Sequence, residues 1–266
     1  MKTHATMTRR TLIATATVAA LPLGTATGAE SFDALLGRYV AAGQDGVNRV
    51  RYAAWKASVA DVAALKALIS AQSAGPGAAA GRAAQFAFWA NLYNAVTLDV
   101  VLDAYPVQSI RSIRSKGVGL DLKGLIGPWR EKRVTVGGRR LSLDDIEHGI
   151  LRPQFRDPRV HYAVNCASIG CPDLQPRAWR AETLDADLDA AARAYVRHPR
   201  GVAVEAEGLR LSSIFDWFAE DFGGLDGVRS HLARYAPNAT IAEAARTQRV
   251  LGYRYDWSIN AAKERG

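Results

Sequence analysis

Hydrophobic residues recur with helical spacing over much of the chain. Apolar residues three and four positions apart follow Ser58, a good N-cap residue, and predict a helix that ends near Ala71. Between residues 82 and 105 apolar side chains occupy every side of the predicted helix, which indicates that it is buried, and Pro106 ends it. The same spacing predicts shorter helices over residues 31–42, 142–151, 183–198, 214–222, 228–235 and 241–246.

Short runs of strand type alternate with these helices. Residues 132–141 form a predicted hairpin about Gly137-Gly138, and residues 202–212 form a second one. Asp157-Pro158 precedes a short apolar run, which predicts a strand that carries His161. Because the strands come mostly as hairpins among helices, the sequence predicts a single-domain α+β fold in which a mostly antiparallel sheet packs with several helices.

The first 29 residues have the pattern of an export signal. Arg9-Arg10 precedes an apolar run of about 12 residues, and Thr27-Gly28-Ala29 supplies small residues for cleavage. The run is too short to span a membrane. The arginine pair favours a twin-arginine signal, with an ordinary general-secretion signal as the alternative. We therefore expect residues 1–29 to be removed and the mature protein to be periplasmic or secreted.

The rest of the chain divides by composition. We predict an N-terminal helical extension over residues 30–81 and the main domain over residues 82–260. Residues 261–266 are a tail. The small residues of positions 71–81 are the best candidate for a linker. Residues 110–129 are rich in glycine and predict a long irregular connection that could serve as a binding loop.

Net charge gives only a weak indication of the partner. The predicted signal contains three basic residues and no acidic one, so its removal lowers the net charge from +8 to +5. The arginines are scattered rather than clustered, so no nucleic-acid partner is expected. No other segment could span a membrane. We expect an envelope substrate or an envelope protein as the partner, and the sequence leaves the oligomeric state open.

Residues 157–174 hold both cysteines of the chain and one of its five histidines. If this segment is an ideal strand, His161 and Asn165 face one side and Cys166 the other. His161 would then be a poor direct base for Cys166, unless a bulge intervenes.

Three interpretations of Cys166 and Cys171 compete, besides that of two inert thiols. An exported protein with two nearby cysteines favours a structural disulfide. Alternatively, one thiol is a nucleophile activated by His148 or His161. The third interpretation is a metal site that adds Glu147, but the spacing of His161 and the cysteines fits no zinc pattern. We therefore predict no metal and no cofactor.

Two further groups of polar residues are candidates for the site. Asp144 and Asp145 lie four and three residues before His148, so either carboxylate could orient its ring. His148 could instead serve only to complement the end of its helix. Asn91 and Asn94 share a helix face, where they either line a polar pocket or tie the helix to a neighbouring loop.

Aromatic residues could line a groove for a sugar or a peptide, although such residues more often belong to a core. They are Trp89, Tyr93, Trp217, Phe218, Tyr255 and Trp257.

Several motifs resemble the family known as domain of unknown function 547. They are Phe88-Trp-Ala-Asn-Leu-Tyr-Asn-Ala, Ser142-Leu-Asp-Asp-Ile-Glu-His-Gly-Ile-Leu, Asp157-Pro-Arg-Val-His-Tyr-Ala-Val-Asn-Cys-Ala-Ser-Ile-Gly-Cys-Pro, Ser213-Ile-Phe-Asp-Trp-Phe and Tyr255-Asp-Trp-Ser-Ile-Asn. The resemblance covers about residues 86–260, and the family has Pro-Pro where this chain has Pro172-Asp173. It implies membership and no particular activity.

Two functions from different classes fit these residues. The first is a cysteine-type hydrolase or transferase of the cell envelope, in which a thiol acts with histidine, carboxylate and amide groups. Its candidate residues are Cys166, Cys171, His148, His161, Glu147, Asn91, Asn94 and Asn165. The second is a non-catalytic envelope binding protein, whose polar cluster is a structural network closed by a Cys166–Cys171 disulfide.

Overall fold

The computed structural model of the chain describes residues 31–113 and 127–263. The predicted export signal and the centre of the predicted glycine-rich loop, residues 114–126, lie outside them. The helices are α1 (Phe32–Tyr39), α2 (Tyr52–Ala57), α3 (Val59–Ala71), α4 (Arg82–Ala104), α5 (Leu143–Ile146), α6 (Arg152–Phe155), α7 (Val160–Ala163), α8 (Leu184–Arg197), α9 (Ile214–Trp217), α10 (Gly224–Tyr235) and α11 (Ala239–Thr247). Single 3₁₀ turns cover Gln72–Ala74, Ile110–Ser112 and Ala219–Phe222.

Helix α4 is the centre of the core, as its sequence predicts. Every residue from Phe86 to Leu98 is buried. The side chain of Ser58 accepts a hydrogen bond from the backbone of Asp61 and caps α3, which packs on α4. Residues from α1 to α11 belong to one hydrophobic core, so the described residues form a single α+β domain and the predicted fold class is confirmed.

The described residues also form three small sheets. Their strands are β1 (Val40–Ala42), β2 (Asn48–Val50), β3 (Val134–Val136), β4 (Arg139–Leu141), β5 (Val202–Glu205), β6 (Gly208–Ser212) and β7 (Val250–Arg254). The pairs β1–β2, β3–β4 and β5–β6 are antiparallel. Gly137 and Gly138 both have positive φ, as the tight turn between β3 and β4 requires. Strand β7 adds to β6 in parallel, a pairing that the hairpin pattern did not predict.

The predicted strand at His161 is wrong. Val160–Ala163 is one turn of helix, and the chain becomes extended only at Val164. The Asp157 carboxylate accepts a hydrogen bond from the backbone N–H of Arg159, and the carbonyl of Asp157 accepts one from Val160. Asp157-Pro158 therefore starts a helical turn rather than a strand. The alternation that separated His161 from Cys166 does not apply.

The helix that begins at Ser142 also continues further than predicted. Ser142 and Asp145 form a capping box at its start. Glu147–Leu151 then follows as a π-helical turn, and α6 leads on to Phe155. Pro153 does not end this path, because it occupies the first turn of α6, where a missing N–H is tolerated.

Candidate functional site

A pocket of about 370 Å³ opens where the Glu147 turn, the Cys166 loop, helix α9 and the C-terminal segment meet. A volume of this size suits a small ligand or one side chain of a larger one. It is lined by Tyr93, Trp129, Arg130, Asp144, Glu147, His148, His161, Val164, Cys166, Cys171, Ile214, Trp217, Phe218, Tyr255 and Trp257. Both cysteines, both candidate histidines and Glu147 therefore come together here.

The contacts of the Cys166 thiol favour its ionisation. Its Sγ lies 3.2 Å from Cys171 Sγ, 3.1 Å from Ser168 Oγ and 3.2 Å from the Tyr255 hydroxyl. The hydrogen bond with Cys171, followed by those with Ser168 and Tyr255, lowers the pKa of Cys166 to about 7 against the effect of burial. Cys166 is partly exposed, whereas Cys171 is buried. Cys166 is therefore the better placed nucleophile.

Cys171 supports its neighbour rather than ionising itself. Burial raises its pKa well above that of a free thiol. Its Sγ also accepts a hydrogen bond from the backbone N–H of Cys166, at 3.1 Å. The structure contains both residues as free thiols, although their sulfur atoms are close enough for a bond to form after small rotations.

His161 is held by Asp221, which lies 60 residues further along the chain. Its Nε2 is 2.7 Å from Asp221 Oδ2, and its ring stacks on Phe218 at 4.1 Å. Arg152 also bonds both carboxylate oxygens of Asp221, at 2.6 and 3.0 Å. Burial opposes ionisation of Asp221, but the bonds from His161 and Arg152 hold its pKa well below the usual range.

This arrangement fixes the tautomer of His161. An ionised Asp221 can only accept a hydrogen bond, so Nε2 carries the hydrogen and Nδ1 of a neutral ring keeps its lone pair. Among the residues that the structure describes, Nδ1 has no hydrogen-bond partner, and the ring lines the pocket. His161 can therefore take a proton from a group in the pocket, with its orientation set by Asp221.

His148 is less suited to act as a base. Its Nδ1 lies 3.0 Å from Arg152 Nη1, and arginine can only donate, so the lone pair of Nδ1 is occupied. The Nε2 of the ring faces Asp144 at 3.8 Å, as the spacing of these residues predicted. Asp145 is instead bonded to Ser142 and Lys132. His148 thus belongs to the rim of the pocket.

The three asparagines do not line the pocket. Asn91 exchanges two hydrogen bonds with the backbone of Trp179, both at 2.9 Å. Asn94 donates to the carbonyl of Ala163 and accepts from the backbone N–H of Asn165, also at 2.9 Å. Their geometry fits the alternative that these amides tie helix α4 to neighbouring loops.

The loop that carries Cys166 is fixed by a chain of buried amides. Asn165 donates to the carbonyl of Pro172 and accepts from the backbone of Ala167 and from the side chain of Asn260. Ala167 has φ +60°, a conformation that costs an L-residue about 1 kcal/mol, and Asn165 supports it. Strained residues of this kind often accompany functional groups.

The C-terminal segment completes the site. Residues 255–260 lie along the Cys166 loop, where Gly170 donates its N–H to the carbonyl of Asp256. A Cβ on Gly170 would come within 2.9 Å of the Tyr255 ring, so only glycine allows this approach. This close approach places the Tyr255 hydroxyl within hydrogen-bond distance of both Cys166 Sγ and Ser168 Oγ.

Glu147 is the most buried carboxylate in the pocket, with 8% of its surface exposed. The hydroxyl of Tyr93 lies beside it, and burial together with this carboxylate raises the pKa of Tyr93 well above its usual value. Within residues 31–113 and 127–263, no group of histidine, cysteine and carboxylate side chains has an arrangement that could hold a metal ion.

Asp221 and Arg152 were missed by sequence reasoning. Asp221 lies between aromatic residues in a segment whose local pattern indicates only a short buried helix. The motif Ser213-Ile-Phe-Asp-Trp-Phe comes close to it but stops three residues earlier. Only the packing of the Ala219–Phe222 turn against α6 and α7 brings Asp221 to His161.

Comparison with known families agrees with the motifs. Residues 78–196 match the model described as "Protein of unknown function, DUF547". Residues 78–196 of the chain belong to this family. The matched region of this DUF547 protein includes His148, His161 and both cysteines, whereas Asp221 and Tyr255 lie beyond it. No curated protein and no solved structure matched the chain.

Proposed function

We propose that this DUF547 protein is a cysteine-dependent hydrolase or transferase that acts on a carboxylic acid derivative. The observation that carries the proposal is that the ionisable thiol of Cys166 and the His161–Asp221 pair open into one pocket. A nucleophile, a base and an acid that orients the base are the parts of a catalytic triad.

Each residue has a defined role in the proposed reaction. The Cys166 thiol transfers its proton to His161 Nδ1, and the thiolate attacks the carbonyl carbon of the substrate. His161 then protonates the leaving group, and a thioester remains on Cys166. Water or a second nucleophile releases the acyl group and restores the thiol. The hydroxyls of Ser168 and Tyr255, both within 3.2 Å of Cys166 Sγ, are the nearest donors for the oxyanion.

No hydrogen bond joins Cys166 directly to His161 in the described part of the chain. Catalytic contacts are often long in a free enzyme and close when substrate binds, and one water can relay the proton. His161 is preferred to His148 because its Nδ1 keeps a free lone pair.

Acylation by 4-nitrophenyl acetate tests this proposal. We expect a burst of nitrophenolate and a single acetyl group, which peptide mapping locates on Cys166. Cys166→Ser should abolish the burst, and His161→Ala should slow it by about 10²–10⁴-fold. Cys171→Ser, which keeps a hydroxyl beside Cys166, should still be acylated on Cys166, with at most a change in rate. Equal acylation of the wild type and Cys166→Ser would rule out this mechanism.

The separation of the sulfur atoms, 3.2 Å, also favours a second candidate function. In it the protein is a non-catalytic binding protein, and a Cys166–Cys171 disulfide stabilises its polar network. Intact-mass analysis after iodoacetamide, with and without prior reduction, distinguishes the two. The second candidate requires that neither cysteine is labelled before reduction and that both are labelled afterwards.

We further propose that the protein acts in the cell envelope, after export. The arginine pair and the apolar run that follows it support this location. No helix of the described residues is long and apolar enough to cross a bilayer. Cell fractionation and N-terminal sequencing test the proposal, with a mature N-terminus expected near residue 30. An unprocessed chain in the cytoplasm would contradict it.

A further inference from the structure

We propose that the pocket beside Cys166 binds a protonated amine, with the ammonium group between Glu147 and the indole rings of Trp129, Trp217 and Trp257. This inference rests on the proposed function, because it names the chemical class of the substrate. Its physical basis is separate, and binding can be measured without any reaction.

The first argument is the unbalanced charge of Glu147. The residue is more than nine-tenths buried and faces the pocket. Within the described part of the chain its carboxylate forms no ion pair, and its neighbour is the uncharged hydroxyl of Tyr93. A buried carboxylate without a cation is costly, so a cationic ligand would gain by completing the pair.

The second argument is that nearby cations have other partners. Arg130 pairs with Asp144 at 3.2 Å, and Arg152 is held by Asp221. His148 is engaged at both ring nitrogens, by Arg152 at 3.0 Å and by Asp144 at 3.8 Å. Arg152 still acts on Glu147 through its charge, but no described cation forms an ion pair with this carboxylate, so the position suits a cationic ligand.

The third argument is the aromatic lining. Trp217 stacks on Trp257 at 5.6 Å, and Trp129 packs its edge against Trp257 at 5.9 Å. The guanidinium of Arg111 lies 5.1 Å from the Trp257 ring, so this indole already carries a cation on one face. Trp217 keeps 47% of its surface exposed. Clustered indole rings beside a carboxylate are the surroundings that bind alkylammonium ions.

The site is also near the proposed nucleophile. Besides the dominant hydrogen bond from Cys171, the charge of Glu147 acts on Cys166 and tends to raise the pKa of its thiol. A bound ammonium group would cancel this effect and favour the thiolate. Binding of such a substrate would therefore promote ionisation of the nucleophile that attacks it.

Tryptophan fluorescence titration of the purified protein provides the test. Pentylamine, which is protonated at neutral pH, is compared with its neutral isostere 1-pentanol. We expect pentylamine to bind at least about tenfold more tightly and Glu147→Gln to remove this difference. Glu207→Gln, which changes an exposed carboxylate on the β5–β6 turn, is the matched control and should leave the preference unchanged.

A second pair of probes distinguishes two sources of the amine. Nα-acetyl-lysine methylamide represents a lysine of a peptide, and its norleucine analogue lacks the charge. Tighter binding of the lysine compound than of pentylamine would indicate a peptide substrate, and the reverse order would indicate a small free amine. Equal affinity for charged and neutral members of both pairs would overturn the inference, as would an undiminished preference in a folded Glu147→Gln protein.

These experiments distinguish failure of the amine site from failure of the proposed function. Charge-dependent binding that is lost in Glu147→Gln supports the amine site even if Cys166 fails to acylate. Acylation without any preference for the ammonium group would preserve the proposed chemistry and remove this substrate class.

Discussion

The Sγ atom of Cys171 lies 3.2 Å from that of Cys166 and accepts the backbone N–H of Cys166 at 3.1 Å. The two thiols contact each other but have opposite properties. While both thiols are protonated, Cys166 donates to Cys171. The bond with Cys171 lowers the pKa of Cys166 to about 7, burial raises the pKa of Cys171, and after ionisation of Cys166 the Cys171 thiol becomes the donor. A buried thiol that donates to its neighbour stabilises a thiolate without adding a charge.

Removal of Cys171 should therefore raise the pKa of Cys166. In the wild type the rate of alkylation by iodoacetamide should rise with pH around a midpoint near 7, because the thiolate is the reactive form. In Cys171→Ala the midpoint should move towards the 8.5 or so of a free thiol. Cys171→Ser should shift it less, since serine can still donate. Identical midpoints in all three proteins would contradict the assigned role.

Asp221→Asn should impair acylation far more than it impairs folding. The amide can donate to His161 Nε2, which would move the proton of the ring to Nδ1 and leave no base facing the pocket. By analogy with the same substitution in serine proteases, we expect a loss of about 10²–10⁴-fold in the acylation rate. Glu220→Gln, on the same turn but exposed, is the matched control. A loss of less than about threefold in Asp221→Asn would exclude His161 as the base.

Asn94→Ala should destabilise the protein and loosen the Cys166 loop. The substitution leaves a buried carbonyl and a buried N–H without partners, and each costs about 1–3 kcal/mol. Asn91→Ala removes the same number of bonds at Trp179 and should lower the free energy of unfolding by a similar amount. Urea denaturation measures both losses. Only Asn94→Ala should also change the pH midpoint of Cys166 alkylation.

His231 should make the protein less stable in mild acid. Burial lowers the pKa of His231 to about 4, while the unfolded residue titrates near 6.5. Below pH 6.5 the unfolded chain binds the proton first, so stability is lost as the pH falls towards 4. The loss from this residue is about 2–3 kcal/mol.

His231→Gln tests the origin of this effect. Glutamine can keep a hydrogen bond to the Tyr162 hydroxyl, which lies 2.8 Å from His231 Nε2, but it does not titrate. The decline in unfolding free energy between pH 6.5 and 4 should therefore become smaller. His198→Gln, in which a surface histidine bonded to the carbonyl of Asp45 is replaced, should keep the wild-type decline. An unchanged slope in His231→Gln would assign the effect to other groups.

The sequence by itself determined the elements whose signals are local. Ser58 at the start of α3, the continuous apolar pattern of α4 and Gly137-Gly138 between β3 and β4 each act within a few residues. Caps, periodicity and turn residues work at that range, so they could be recognised without a fold. The motifs also singled out the segment with His161 and Cys166, and both residues line the pocket.

Tertiary structure decided which of these residues act together. The sequence placed His161 on a strand, because a short apolar run can form either a strand or a helix. The hydrogen bonds of Asp157 start a helical turn there instead. Asp221 and Tyr255 reach His161 and Cys166 from 60 and 89 residues away. Such partners are selected by the packing of whole elements and by the need to pair buried polar groups, and neither leaves a periodic trace in the sequence.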